Sequence, residues 1–223
     1  QPVAFPADSD RALFPLAVYL AEGGNIQDTQ RRPILEVDPL TNLFRFIEVG
    51  IDAGAFSEDL LQYQTDGQVW TAFRDGQSDL AITWVSNFLQ DSPADAALAP
   101  LFPTANGAIS IGTGLSWAVA TSEENRQALA VDLAEFLVQP DYLAEWSMAA
   151  GYLPSRPSSL EGWQDQNLRS TLSQVASMTQ LLPTHDVLST IGPILREGTR
   201  QILRGAVDPA QAAQVAIESL EAQ

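Results

Sequence analysis

The sequence predicts a helix-rich α/β fold, and three observations carry the prediction. Apolar residues recur at three- and four-residue intervals over several long stretches, the signature of one-sided helices. Short apolar runs of strand length lie scattered among those stretches, so helix and strand patterns alternate and do not segregate. The chain has 223 residues, 45% of them apolar, which is enough for a real core in one large domain or two small ones.

Taken in order, Val3-Ala4-Phe5 is short enough for a strand. Asp8 to Gly24 places Leu13, Leu16, Ala17, Leu20 and Ala21 on one helix face, and Gly23-Gly24 stop it. A polar stretch from Asn25 to Arg32 leads into Leu40, Leu43, Phe44, Phe46, Ile47 and Ile51, a second helix ending near Gly54, and Ser57 opens a short third one. From Asp66 a capped two-turn helix puts Val69 and Phe73 on one face, Asp75-Gly76 turns the chain, and Leu80 to Thr83 reads as a buried strand that ends on Trp84. Pro93 to Pro103 reads as loop plus strand, and Ala108–Ile111 and Leu115–Ala120 as further strands around a Gly-Thr-Gly joint.

Thr121-Ser122-Glu123-Glu124 has the spacing of a capping box, with Leu129, Leu133, Phe136 and Leu137 as the apolar stripe of the helix behind it. Pro140-Asp141 restarts the helix, which runs to Gly151. The following Tyr152-Leu153-Pro154-Ser155-Arg156-Pro157 is extended, because a residue before proline is pushed out of the α region. Residues 158–181, 189–204 and 209–220 read as helices.

Composition narrows the function. All 11 positive charges are Arg, against 28 Asp and Glu, for a formal charge of -17. Only Arg31-Arg32 are adjacent, so nucleic acid and anionic membrane surfaces are excluded as partners, and neutral or cationic small molecules are the natural ligands. With no Cys there is no disulfide framework and no thiolate metal site, and His185 is the single imidazole, so neither a metal nor a cofactor is expected. The N-terminal residues have no basic or apolar region of signal-peptide type. No nucleophile elbow, phosphate-binding loop or dinucleotide fingerprint is present. An enzyme is therefore not expected, although a carboxylate pair for glycoside hydrolysis could hide among the acids.

Four segments in sequence carry a resemblance: Phe73-Arg-Asp-Gly-Gln-Ser-Asp-Leu-Ala-Ile-Thr-Trp84, the loop Leu101-Phe102-Pro103-Thr104, the run Gly114-Leu-Ser-Trp-Ala-Val-Ala-Thr-Ser-Glu-Glu-Asn125 feeding an Ala-rich helix, and Trp146-Ser-Met-Ala-Ala-Gly-Tyr-Leu-Pro-Ser-Arg156. In this order they resemble the extracellular solute-binding proteins of ABC importers, within family 1, the sugar binders of maltose-binding-protein type. The resemblance implies a periplasmic-binding-protein type II-like fold. Its two α/β lobes are joined by a hinge of crossing strands, and a small solute held between them is passed to a membrane permease. It also implies an extracellular or periplasmic location, with a lipid anchor on the full-length precursor as one option.

Family members run to nearly twice this length, so the chain resembles a truncated C-terminal portion, mainly lobe two. On that basis residues 1–113 correspond to lobe two, 114–156 to a hinge strand with a helical excursion into lobe one, and 157–223 to helices returning to lobe two. The stripe at Leu129, Leu133, Phe136 and Leu137 then lacks its usual sheet, and a homodimer through the incomplete lobe would cover it.

The candidate ligand-binding residues follow from the same comparison. Trp84 stands where family members stack an aromatic on a sugar ring, with Ser86 and Asn87 beside it for the hydroxyls; packing under a loop is the competing reading. Ser9, Asp10 and Arg11 occupy the polar turn before the first helix, where the alternative is helix capping. Trp117 would line the hinge floor or be buried in its strand, Tyr152 would project from the third crossing, and Asp186, with His185, belongs to the last ligand-facing loop. Two rival functions remain: an interaction domain that binds no ligand alone, and a carbohydrate-active enzyme.

Overall fold

The computed structural model of the chain describes residues 2–101 and 109–222. In order, its elements are β1 (Val3–Ala4), α1 (Leu13–Ala21), α2 (Val37–Asp52), a 3-10 turn (Glu58–Gln62), α3 (Asp66–Arg74), β2 (Leu80–Ala81), α4 (Val85–Asp91) and β3 (Ser110–Gly112). There follow α5 (Glu124–Leu137), α6 (Pro140–Ala150), α7 (Pro157–Leu160), α8 (Gln166–Ser177), β4 (Thr179–Leu181), α9 (His185–Leu203) and α10 (Pro209–Glu221). They form two compact units. The first comprises Gln1–Thr83, Leu101–Ile111 and Leu182–Gln223, and the second Trp84–Pro100 and Gly112–Leu181.

In the first unit, β1 pairs parallel with β2 in the register Val3 with Leu80 and Ala4 with Ala81. A parallel pair needs a long crossover, which α1, α2 and α3 supply. The core lies among Phe5, Leu16, Tyr19, Leu40, Leu43, Phe44, Ile47, Ile191 and Leu195, all fully buried. Phe5, Phe14 and Phe56 form an aromatic cluster within it, with Phe5 and Phe14 centroids 4.5 Å apart. The Tyr19 hydroxyl donates to the Asn25 carbonyl at 2.7 Å and accepts from the Glu36 backbone N–H at 3.0 Å. Thr65 and Gln68 close a full capping box at α3, as the capped reading of that helix requires.

The second unit has a smaller core of Ala144, Leu160, Trp163 and Leu172, with Val85, Leu89, Leu98, Leu153 and Leu168 packed against it. The Trp163 indole N–H donates to the Ala144 carbonyl at 3.1 Å. Through Leu160, Trp163 and Leu172, the residues between 157 and 181 pack with α6 in this unit, whereas the sequence division at 113 and 156 assigned them to lobe two.

Several local readings need correction. Leu115–Ala120 forms no strand: its residues are exposed and make no backbone hydrogen bond to the other described residues, and a strand exists only where its N–H and C=O groups are paired. Residues 158–181 are not one helix, because the chain breaks after α7 and ends as strand β4 next to β3. Leu80, read as buried, is 58% exposed. The Thr121 capping box does not close; the Thr121 hydroxyl accepts from Glu123 N–H at 3.3 Å, one residue too early, and α5 starts with no side-chain cap. The Phe102-Pro103-Thr104 part of the loop motif, and Ala108, lie outside the described residues.

Candidate functional site

In the first unit the turn from Asp8 to Ala12 joins β1 to α1. It starts helically only at Leu13, later than the sequence suggests, because Ala12 takes a left-handed backbone, φ 45°, that caps the turn. The Asp8 N–H donates to the Tyr63 carbonyl at 3.0 Å and Ala12 N–H to the Ser9 carbonyl at 3.0 Å, so the turn is pinned at both ends. Ser9 is half-buried, while Asp10 and Arg11 are exposed. Asp10 is not free: its Oδ1 accepts from the Arg196 guanidinium of α9. The Arg11 side chain makes no hydrogen bond or ion pair with the described residues. Asp186 and His185 lie in the first turn of α9, exposed, and not in a preceding loop; the Asp186 carbonyl accepts from the Ser189 and Thr190 hydroxyls.

In the second unit Trp84 is the N-cap residue of α4, three residues beyond the end of β2, and is half-buried. Ser86 and Asn87 lie in the first turn of that helix, also half-buried; Asn87 N–H donates to the Trp84 carbonyl at 3.0 Å. Trp84 is extended, φ -68° and ψ 138°, and gives α4 no side-chain cap. Gly151, at φ 70°, closes α6 against α4: a side chain there would meet the Gln90 backbone within 3.1 Å.

Beyond Gly151, Tyr152 stacks on Trp146 with centroids 6.1 Å apart and planes 14° off parallel, both rings part-exposed. Trp146 escaped the sequence reading because it lies on α6, six residues before its partner. Trp117 is 60% exposed, in neither a strand nor a core. It edges an open groove of about 590 Å³ whose other wall is α5, with Arg126, Leu133 and Leu137.

The sequence candidates are divided between the units: Ser9, Asp10, Arg11 and Asp186 lie in the first, and Trp84, Ser86, Asn87, Trp117 and Tyr152 in the second. The residues missed are Arg196 and Trp146. Among the described residues there is no cluster of metal-ligating side chains, and no helix is long and apolar enough to cross a membrane.

The fold is of the periplasmic-binding-protein type. The chain belongs to the bacterial extracellular solute-binding proteins: the sequence pattern of that family matches residues 3–170. Solved structures agree on the fold. A cyclo/maltodextrin-binding protein complexed with maltotetraose superposes with a TM-score of 0.73 at 15% identity, over 99% of this chain and 58% of that one. The cyclic alpha-maltosyl-1,6-maltose binding protein from Arthrobacter globiformis gives 0.70 at 18%, over 99% and 58%. The GacH receptor of Streptomyces glaucescens, solved unliganded and with acarbose, gives 0.67 at 17%, over 100% and 58%. The chain thus spans about 60% of the length of the solved structures it matches. No curated protein sequence matches it.

Proposed function

We propose that this chain is the substrate-binding component, or part of one, of an ABC importer, and that it captures a small solute, a sugar, by hinge closure and delivers it to a membrane permease. The observation that carries the reading is the match to the extracellular solute-binding family along residues 3–170. The fold's relatives include proteins solved with maltotetraose and with acarbose, which supports a carbohydrate as the ligand class. Hinge closure is supported by the path of the chain, which passes from one unit to the other after Thr83, Pro100, Ile111 and Leu181. The protein acts outside the cytoplasmic membrane, where a lipid anchor on its precursor would keep it near the permease.

Binding, and not catalysis, is the task of the assigned groups. Trp84 stacks on a sugar ring, Ser86 and Asn87 pair with its hydroxyls, and Trp117 and Tyr152 add aromatic surface. Ser9, Asp10, Arg11 and Asp186 supply polar groups from the first unit. A neutral ligand suits a protein of charge -17 that offers few free cations.

A second reading rests on the uncovered stripe of α5, where Leu129, Leu133 and Phe136 are about half exposed or more. On that reading the chain is an interaction module that binds ligand only once a further polypeptide, such as a second copy, completes it.

Intrinsic Trp fluorescence titrated with maltose, maltotriose and maltotetraose separates the readings. A saturable shift at micromolar sugar supports capture, and no response from any oligosaccharide favours the module. Trp84→Ala is expected to weaken binding by about 1–3 kcal/mol, the range of an aromatic contact at a hot spot. Unchanged affinity with a lower melting temperature would assign Trp84 to packing. Sugar cleavage on thin-layer chromatography would overturn the non-catalytic assignment.

A further inference from the structure

Three arginines on α9 and at its end, Arg196, Arg200 and Arg204, follow one another at four-residue steps and so share one face of the helix. Each meets a carboxylate from a distant part of the first unit. Arg196 Nη1 holds Asp10 Oδ1, Arg200 Nη1 lies 3.6 Å from Asp8 Oδ1, and Arg204 Nε lies 3.1 Å from Glu58 Oε1. One turn before Arg196 the same face carries Gly192, where a Cβ would run into the Asp10 carbonyl oxygen and meet the Arg11 Cα at 3.3 Å. The face therefore presses backbone against backbone at Asp10-Arg11 and then grips the two acids on either side of Ser9.

The conformation so held has a cost. Ala12 is a non-glycine residue in the left-handed region, and it is buried, so the turn does not adopt this shape for lack of an alternative. Asp8 Oδ1 is buried with no hydrogen bond from a described residue, which leaves Arg200 as the group that balances its charge. At Asp10 the carboxylate is 80% exposed, and an ion pair that open to water adds little to overall stability. Its effect is local: it fixes which way the turn faces.

We propose that Arg196, with Arg200 beside it, is a positioning residue for ligand recognition: by holding Asp10 and Asp8 from α9, the pair keeps the turn 8–12 in the shape that presents the Ser9 hydroxyl and the Arg11 guanidinium. The proposal rests on the assignment of this turn to the ligand. It goes further in separating roles within the turn, since Asp8 and one oxygen of Asp10 are committed to α9, and Ser9, Arg11 and the second oxygen of Asp10 are the groups left to recognise a solute. Pre-forming a recognition turn raises affinity by removing the entropy of ordering it on binding.

The experiment compares Arg196→Gln, Arg196→Lys and the exchanged pair Asp10→Arg with Arg196→Asp, using hydrogen exchange of the 8–12 amides and titration with maltotriose. Arg196→Gln is expected to speed exchange at 8–12 at least about tenfold and to weaken maltotriose by a similar factor while the rest of the first unit stays protected. Arg196→Lys and the exchanged pair are expected to restore protection of the turn, and the exchanged pair, which removes the long stem at 196, would not do so if the Arg acted only by packing. Unchanged exchange at 8–12 in Arg196→Gln, or protection lost evenly across the unit, overturns the proposal even where maltotriose binds the parent protein. A parent protein that binds no oligosaccharide overturns the functional reading, and the positioning role with it, whatever the exchange shows.

Discussion

Tyr19 shows how one side chain closes a loop. Its ring fills the space beside Gly24, where a Cβ would collide with it, and its hydroxyl ties Asn25 to Glu36 across the intervening polar stretch. Burial pushes the phenol pKa well above its ordinary value of 10.0, and the Glu36 charge adds to the rise while the hydrogen bond from the Glu36 backbone opposes it. The folded value is the higher one, so the stability this group contributes is complete below about pH 10 and is lost as pH climbs toward the folded value. Tyr19→Phe leaves the Glu36 N–H and the Asn25 carbonyl without their partner. It is expected to cost about 1–2 kcal/mol in urea unfolding, in keeping with orphaned polar groups. A loss too small to measure would mean that water replaces the hydroxyl freely.

At the level of elements, α9 is defined by what it lacks. The helix runs on through Gly192-Pro193, and the missing side chain at Gly192 lets its backbone approach Asp10. Gly192→Ala places a methyl into a carbonyl that cannot move without shifting the turn. The expected cost is about 1–3 kcal/mol, measured as a lower denaturation midpoint, with Gly114→Ala, which meets open space, close to neutral. Helices whose stripe lies within a few turns were legible in the sequence, as α2 shows with Leu40, Leu43, Phe44 and Ile47 buried on one side. That α3 is capped was legible too, although the reading began at Asp66 and did not name Thr65 as the cap.

What depends on a distant partner was not legible. Thr179–Leu181 pairs as a strand although its local pattern continues a helix, and Leu115–Ala120 alternates like a strand without pairing with any of the described residues. At the candidate site, residue types were readable one by one, Trp84 and Asp10 among them. The grip of Arg196 on Asp10 spans 186 positions and leaves no trace in either neighbourhood.

The whole molecule combines a charge of -17 with an apolar helix face, and the two act in opposite directions on association. Charge repulsion is screened beyond about 8 Å at physiological salt, whereas the attraction between apolar faces is not. Light scattering is expected to show a monomer at low salt and a concentration-dependent dimer at moderate salt, abolished by Leu133→Glu with Phe136→Glu. A monomer under every condition would remove self-association from the proposal. The interleaved division of the chain has a consequence for how it is made. The first unit is assembled from segments far apart in the sequence: α2 packs on α9 and α10, so its core waits for residues synthesised much later than α2, and its contact order is high. The 112–181 stretch of the second unit is complete well before that. During synthesis the order of folding therefore runs against the order of the sequence, with Phe5, Tyr19 and Phe44 left exposed until α9 emerges.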